Sequence, residues 1–224
     1  MTSLLSKYKT QKETVEIGGL IFQLVKVTNI DELYLELINK GNDHEDVKDE
    51  RIPYWADLWH SAIALSQYIV KSNIIHKNTN VLEVGCGLGL PGIVAGRFSD
   101  HVTFTDYIKE PLEFAEYNWK LNNDHLAQFE ILDWRKPDPS FASDIVLASD
   151  VAYEKRSFKY LLHSFKKLTK PGGCILMSEP NRQFTREFFR NLKEKDFTFS
   201  SDEYTIRYNG INTRVNVYEI RHNG

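Results

Sequence analysis

The chain has 224 residues, 42% of them hydrophobic, which is enough for one sizeable core, and its net charge of −3 disfavours a general nucleic-acid binder, which would usually be basic. Its two cysteines, Cys86 and Cys174, lie far apart in the chain and predict a reduced, cytoplasmic protein without a disulfide framework. No apolar run approaches the length of a membrane span, and the amino-terminal residues lack an apolar h-region, so we expect neither a membrane partner nor a secretory signal. From the net charge we expect no nucleic-acid partner.

The amino-terminal region predicts a hairpin followed by a helix. Residues 14–27 form two short apolar runs around Gly18-Gly19, which is a typical hairpin pattern. Asn29, with Glu32 three residues later, predicts a capping box at a helix start. Residues 41–51 are polar and charged and predict a solvated loop, with an acidic lip for a basic partner as the alternative. We therefore predict that residues 1–52 form an extension to the main domain.

A second predicted helix lies between residues 53 and 70, where Ala62, Leu65 and Ile69 share one face. Trp55 and Trp59 stand at its entrance. Two interpretations are open for these rings: they are core aromatics, or they form the wall of a cofactor pocket.

From residue 81 onward, strands and helices alternate. The predicted strands cover residues 81–84, 101–105, 129–132, 145–148 and 174–177. Helical spacing follows at residues 90–97, 112–119, 158–168 and 184–192. Asn209-Gly210, between two further apolar runs, predicts a carboxy-terminal hairpin. The pattern predicts an α/β fold of five βα units followed by an antiparallel pair of strands, with residues 53–224 as a single globular unit.

The stretch VLEVGCGLGLPG has the form of a strand, a tight glycine loop and a helix start. Gly85, Gly87 and Gly89 permit unusual backbone angles and close approach of a ligand. A dinucleotide fingerprint, G-x-G-x-x-G, would need a third glycine at the position of Leu90. The pattern E-x-G-x-G-x-G, beginning at Glu83, fits instead the fingerprint of S-adenosylmethionine-dependent methyltransferases. Glu83 then lies beside the cofactor and contacts it directly or through water.

Acidic residues follow the next predicted strands. Asp106 ends the second strand and could accept both ribose hydroxyls, or it could simply cap the next helix. Asp133 follows the third strand and could accept the adenine amino group, with Trp134 beside the base. Asp150 and Tyr153 follow the fourth strand, where methyltransferases place acceptor chemistry. No proline lies between them, which argues against the nucleic-acid and glutamine N-methyltransferases that carry an Asn/Asp-Pro-Pro-aromatic turn.

These motifs together resemble the class I methyltransferases with a seven-stranded sheet. More narrowly, the chain is similar to the family-16 group, which includes protein-lysine methyltransferases acting on the electron-transfer flavoprotein β subunit, elongation factors and chaperones. The resemblance spans residues 53–153. It is carried by Trp59 with the helix after it, the loop Glu83–Gly89, Asp106, Trp134 and the Asp150-x-x-Tyr153 signature.

The resemblance implies a doubly wound, mostly parallel seven-stranded sheet with an antiparallel carboxy-terminal hairpin, and S-adenosyl-L-methionine as cofactor. The implied cofactor contacts are Trp59, Gly85, Gly87, Asp106, Trp134 and the backbone of Ser149. It also implies that Asp150 and Tyr153 act on the acceptor side. We expect Asp150 to orient the acceptor ammonium and Tyr153 to line the methyl-transfer channel. No metal site is expected, because the seven histidines show no ligand-like spacing.

Three functions remain open at this point. The leading prediction is methyl transfer to a lysine amine of a protein. A small-molecule N- or O-methyltransferase would use the same glycine loop and Asp150. A non-catalytic protein that binds S-adenosylmethionine as an interaction module is the third, although a complete set of cofactor residues argues against it.

Overall fold

The computed structural model describes residues 6–41, 43–48 and 51–223. Its strands are β1 (Thr10–Ile17), β2 (Leu20–Val27), β3 (Asn80–Val84), β4 (His101–Asp106), β5 (Gln128–Ile131), β6 (Ser143–Ser149), β7 (Thr169–Glu179), β8 (Phe197–Tyr208) and β9 (Ile211–His222). Its α-helices are α1 (Ile30–Asn39), α2 (Glu45–Lys48), α3 (His60–Ser72), α4 (Leu90–Ala95), α5 (Lys109–Asn122), α6 (Phe158–Leu168) and α7 (Thr185–Glu194).

The main sheet has seven strands in the order β5-β4-β3-β6-β7-β9-β8. The five strands from β5 to β7 pair in parallel, and β9 lies antiparallel to both β7 and β8. The chain moves outward from β3 in one direction and then returns to start β6 on the other side of β3. Ligands of such open sheets bind where the strand order reverses, at the carboxyl ends of the strands. The predicted fold class is confirmed.

Alternate residues of the central strands enter two separate cores. In β3, Val81 packs with the core of α3, α4 and α5, whereas Leu82 packs with the core of α6 and α7. In β6, Leu147 packs in the same core as Val81, and Val146 packs in the same core as Leu82. Both faces of these strands are covered, which explains their near-continuous apolar sequence. Helices on both faces leave only the strand ends open for a binding site.

The amino-terminal hairpin forms a separate two-stranded sheet that packs against α5. The side-chain amide of Asn118 accepts a hydrogen bond from Val25 N at 2.7 Å and donates one to Val25 O at 3.1 Å. Asn122 makes the same pair of bonds with Gln23, at 2.8 and 2.7 Å. The two side-chain amides therefore bond to β2 as a neighbouring strand would, and they join the hairpin to the main domain. The predicted hairpin is confirmed.

Two predictions about the amino-terminal region need correction. The helix after Asn29 begins at Ile30, as expected, but the Asn29 side chain does not cap it. The side-chain oxygen Oδ1 of Asn29 instead accepts a hydrogen bond from Lys9 N at 3.3 Å, because the chain before β1 runs alongside and competes with the helix for this acceptor. The polar segment 41–51 is not wholly a loop, since it contains α2; residues 42, 49 and 50 of that segment lie outside the described residues.

The predicted set of five βα units is also corrected. The connection from β5 to β6 contains a short 3-10 turn at Pro139–Phe141 and no α-helix, so four of the five units have their helix. Strand β7 begins at Thr169, before the Pro-Gly-Gly segment, and its regular pairing with β6 resumes at Cys174. In the described part of the chain, no helix is long and apolar enough to cross a membrane.

Candidate active site

A cavity of about 360 Å³ opens at the carboxyl edge of the parallel strands. The glycine loop, the ends of β4 and β6, the segment before α3 and the loop after β7 line it. It brings together ten of the eleven residues that the sequence singles out: Trp59, Glu83, Gly85, Gly87, Gly89, Asp106, Trp134, Ser149, Asp150 and Tyr153. Residues spread over almost one hundred positions thus face one space.

Asp133 is the exception. Its carboxylate accepts hydrogen bonds from Arg135 Nε at 2.8 and 3.0 Å and from Arg135 N at 2.9 Å. It lines a neighbouring cavity of about 290 Å³, which shares Trp134 and Tyr153 with the larger one. The contact of Asp133 with adenine therefore stays a prediction, and its oxygens would have to accept a further donor beside Arg135.

The glycine loop presents its backbone to the cavity. Gly85, Gly87 and Gly89 have φ angles of 62°, 53° and 80°, in the left-handed region that favours glycine. A Cβ on Gly89 would lie 3.0 Å from the Cβ of Ala115, and one on Gly87 would lie 3.5 Å from the carbonyl oxygen of Trp55. The loop is closed by a hydrogen bond from Gly89 N to Cys86 O at 2.8 Å. A side chain at Gly89 would crowd the core beside Ala115, and a side chain at any of the three positions would be strained by the positive φ.

Glu83 lies beneath this loop and is almost completely buried. Its Oε2 accepts a hydrogen bond from Gly92 N, in the first turn of α4, at 2.9 Å. Its Oε1 is buried and has no hydrogen-bond partner among the described residues. Burial raises the pKa of Glu83 to about 8, because desolvation penalises the charged form more than the Gly92 hydrogen bond stabilises it. Glu83 also lines the cavity, and Oε1 is the carboxylate oxygen that has no donor among the described residues.

Gly92 is a residue that the sequence analysis missed. A Cβ there would lie 2.4 Å from Phe104 Cε1 and 2.6 Å from Glu83 Oε2. Only glycine lets the helix start approach the sheet closely enough for its N–H to reach the carboxylate. Its position directly after Pro91, at the start of a predicted helix, was the available signal.

Asp106 ends β4 and turns its carboxylate toward the glycine loop. Oδ1 accepts a hydrogen bond from Tyr107 N at 2.8 Å, and Oδ2 accepts one from Gly87 N at 3.3 Å. Burial raises the pKa of Asp106 to about 6, although these backbone donors act in the opposite direction. Because the carboxylate is buried at the cavity wall and not at the surface, the helix-cap alternative does not describe its environment.

Aromatic rings form the mouth of the cavity. Tyr54 lies 6.0 Å from Trp59 and 5.7 Å from Tyr153, measured between ring centroids in edge-on contacts. The indole N–H of Trp59 donates to the carbonyl oxygen of Tyr54 at 2.7 Å, which fixes the Trp59 ring although it is 41% exposed. Trp55 has both of the positions that the sequence left open: it packs against Phe114 in the core, and it also lines the cavity.

The side of the cavity near Asp150, the predicted acceptor side, contains an ion pair that the sequence analysis did not predict. Asp150 has φ of 56° and its carboxylate pairs with Arg182, which follows β7. The hydroxyl of Ser61 lies 3.4 Å from the other carboxylate oxygen. Arg182 also lines the cavity. The signal for Arg182 was its place just beyond the carboxyl end of a parallel strand, where polar residues gather in this type of sheet.

Residues 45–195 match a family model described as lysine methyltransferase. The chain belongs to the lysine methyltransferase family. It is 30% identical over 154 residues to protein N-lysine methyltransferase METTL21A of Xenopus tropicalis, over 66% of this chain and 71% of that protein. It is 29% identical over 178 residues to EEF1A lysine methyltransferase 3 of Mus musculus, over 77% of this chain and 74% of that protein.

Among solved structures, the N-methyltransferase NodS from Bradyrhizobium japonicum WM9, in complex with S-adenosyl-L-homocysteine, has a similar fold. The TM-score is 0.56 at 14% identity, over 83% of this chain and 97% of that chain. The family resemblance drawn from the motifs is confirmed, and the protein is an S-adenosylmethionine-dependent methyltransferase.

The residues of the cavity fit this cofactor. The partnerless oxygen of Glu83 can accept a hydrogen bond from a donor on the ligand, and the carboxylate of Asp106 suits a diol. Three glycines with positive φ leave backbone exposed for close contact. Buried carboxylates on this side also favour a ligand that carries positive charge.

Proposed function

We propose that this methyltransferase transfers methyl groups to the side-chain amine of lysine in a protein. The observation that carries the proposal is that Asp150 and Tyr153 line the same cavity as the glycine loop and Asp106, so that acceptor and cofactor groups face one space. The printed names of the relatives, protein N-lysine methyltransferase and EEF1A lysine methyltransferase, support a protein acceptor.

The proposed cofactor residues act by holding and orienting. Asp106 would accept hydrogen bonds from the ribose hydroxyls, and Glu83 would contact the cofactor directly or through water. Gly85, Gly87 and Gly89 would contact it through their backbone. For Trp59, Trp134, Ser149 and Asp133 we propose the cofactor contacts that were expected from the sequence. When bound, the cofactor supplies an electrophilic methyl group on a positively charged sulfur.

The proposed acceptor residues address the protonation of lysine. An amine with pKa of about 10.4 costs roughly 4–5 kcal/mol to deprotonate at pH 7. Asp150 would accept an N–H from the acceptor nitrogen and aim its lone pair, and Tyr153 would line the channel. Correct positioning can supply about 7–11 kcal/mol in favourable cases. No separate strong base is required, because the leaving thioether needs no protonation.

Two features at the cavity mouth support a large acceptor. Tyr54, Trp59 and Tyr153 are 46%, 41% and 40% exposed, which leaves apolar surface for a partner. The neighbouring cavity shares Tyr153 and Glu154 with the main one, so an acceptor could extend beyond its reacting group.

We also propose a cytoplasmic reaction that involves neither nucleic acid nor a membrane, because Cys86 and Cys174 are both free thiols and the net charge is negative.

We further propose that residues 1–52 shape acceptor choice, while residues 53–224 form the catalytic domain. Lys26 of the hairpin bonds to Asp57, which lines the cavity, at 2.9 Å. Helix α1 exposes Leu35 and Ile38 by 58% and 53%. The extension is thus connected to the cavity wall and offers apolar surface of its own.

Radiolabelled methyl transfer tests this function. The purified enzyme is incubated with methyl-labelled S-adenosylmethionine and a size-fractionated extract of the source cell. We expect label in macromolecules that resists nuclease, yields to protease and is recovered as methyllysine after hydrolysis. Label confined to the low-mass fraction would refute a protein acceptor and indicate a small molecule.

Asp150→Ala tests the acceptor assignment in the same assay. We expect it to abolish labelling and to leave the affinity for S-adenosylhomocysteine within about threefold of wild type. Asp124→Ala, at an exposed position in the connection between α5 and β5, is the matched control and should label normally. Normal labelling by the Asp150 variant would contradict the assignment.

A further inference from the structure

The ion pair between Arg182 and Asp150 has no part in the roles proposed so far. Arg182 Nη1 bonds to Asp150 Oδ1, and Ser61 Oγ lies 3.4 Å from Asp150 Oδ2. The side chains of Arg182 and Asp150 remain 28% and 13% exposed, and both line the cavity. The guanidinium therefore lies beside the carboxylate that the acceptor nitrogen is proposed to contact.

The loop that carries Arg182 is held by a buried carboxylate. Glu179 is 1% exposed, and its Oε2 accepts hydrogen bonds from Arg182 N at 3.0 Å and from Thr185 Oγ1 at 3.1 Å. Asn181, with φ of 60°, accepts a hydrogen bond from Asn216 Nδ2 at 2.8 Å. The three residues after the end of β7, 180–182, are thus held in a defined turn, which brings the Arg182 side chain to the cavity.

We propose that Arg182 is a positioning residue for methyl transfer, which offsets the charge of Asp150 so that the acceptor lysine binds there as a neutral amine. This inference rests on the proposed function. Asp150 keeps a lone pair that accepts an N–H from the amine, while the guanidinium removes most of the carboxylate's attraction for an ammonium ion.

The chemistry requires such an offset. The lone pair of the neutral nitrogen forms the new N–C bond while the S–C bond breaks and its electron pair stays on sulfur; the methylated ammonium then loses a proton to water. A carboxylate without a counter-charge would hold the acceptor as an ammonium, which has no lone pair. A charge at about 4–6 Å typically changes a neighbour's pKa by about 1–3. Arg182 is close enough to Asp150 to oppose the carboxylate's effect on the same acceptor nitrogen.

Other titratable groups face the same space. The other carboxylates that line it are Asp57, Glu83, Asp106 and Glu154. The phenols are Tyr54, Tyr107 and Tyr153, and the thiol is Cys86. Glu179, Glu203 and Tyr218 bond to the Arg182 loop or to one another behind it. These groups are present in every variant below. A difference between variants at position 182 therefore reports the charge of that side chain.

The test compares Arg182→Gln, which loses the charge, with Arg182→Lys, which keeps it. The acceptor is the protein fraction in which wild type deposits methyllysine, used in serial dilution with saturating S-adenosylmethionine. Initial rates are measured between pH 6.5 and 10. Binding of S-adenosylhomocysteine, by calorimetry, checks that each variant has a folded cofactor site. Arg182→Met serves as a second neutral variant.

At saturating acceptor, we expect the rising limb of the rate to move about one pH unit or more toward alkali in Arg182→Gln and Arg182→Met. The rate at pH 7.5 should fall about tenfold, half-saturation should need less acceptor, and the alkaline plateau should be no lower than wild type. Arg182→Lys should keep the limb within about 0.3 pH unit of wild type.

Three results would overturn the inference. An unshifted limb with a lower plateau would assign Arg182 a purely structural role. A higher rate at every pH in the neutral variants would identify it as a competitor for Asp150. A limb that moves equally in Arg182→Lys would show that charge is not the cause. If wild type itself deposits no methyllysine, the proposed function fails first, and this inference with it.

Discussion

Replacing Glu83 with glutamine keeps the shape of a buried side chain and removes its charge. Glutamine can still accept the hydrogen bond from Gly92 N through its amide oxygen, which would take the place of Oε2 at 2.9 Å. Its amide nitrogen would take the place of Oε1, which has no partner among the described residues. The variant therefore isolates the effect of a carboxylate buried at the cavity floor.

The magnitude follows from the pKa of Glu83. Burial raises it from 4.5 to about 8, so the folded protein holds this proton more tightly than the unfolded chain does. The stability that results is fully present below pH 4.5 and is lost progressively as the pH rises to 8. At 1.36 kcal/mol per pH unit, wild type should lose about 4 kcal/mol between pH 5 and pH 8.5 from this group alone. That is a large part of the roughly 5–15 kcal/mol by which proteins are stable.

Urea unfolding of the cofactor-free proteins at pH 5 and pH 8.5 measures this effect. The variant should lose about 4 kcal/mol less than wild type between the two pH values, because glutamine does not titrate. The difference between the two proteins cancels other groups that titrate in this range, Asp106 among them. Glu130→Gln, at an exposed position in β5, is the matched control and should follow wild type. Parallel loss of stability in Glu83→Gln and wild type would refute the reasoning.

Three further outcomes are expected. Asp106→Ala should weaken S-adenosylhomocysteine binding by about 10–100-fold in calorimetry, since charge-assisted hydrogen bonds contribute about 1.5–3 kcal/mol; unchanged affinity would remove Asp106 from the cofactor site. Gly92→Ala should lower the free energy of unfolding by about 1–3 kcal/mol in urea, because its Cβ would overlap Phe104; a neutral result would mean that α4 shifts freely. Lys26→Met should cost about 3 kcal/mol, because this 12%-exposed cation bonds two carboxylates, whereas Lys9→Met, at 67% exposure, should cost below about 1; equal costs would contradict the role of burial.

The burial of charge also explains the character of the site. Glu83 and Asp106 are both nearly completely buried and both have raised pKa values, so the cofactor-free protein contains two carboxylates that are costly to ionise. A bound cation or a set of hydrogen-bond donors would reduce that cost. We therefore expect cofactor binding to stabilise the fold more at pH 8.5 than at pH 5. This difference would come from the two carboxylates and does not depend on the acceptor.

Local patterns in the sequence were sufficient for the fold class and for most of the cavity. Glycines on alternate positions after a short strand predict a loop with residues in the left-handed region, and the positive φ angles of the three glycines agree with this prediction. Acids at the ends of consecutive parallel strands must lie at one edge of the sheet, because parallel strands end together. Asp106 and Asp150 could therefore be assigned to the same site without knowledge of any contact.

Tertiary structure decided the partners of several side chains. Asn29 has the sequence of a helix cap, yet its side-chain oxygen accepts a hydrogen bond from Lys9 N, 20 residues away. Arg182 lies 32 residues from Asp150 and only the parallel pairing of β6 with β7 brings them together. The sequence by itself determined which residues reach the edge of the sheet, because that depends on local spacing. Which of them meet depends on competition among neighbours that are distant in the chain, and only the folded arrangement resolves it.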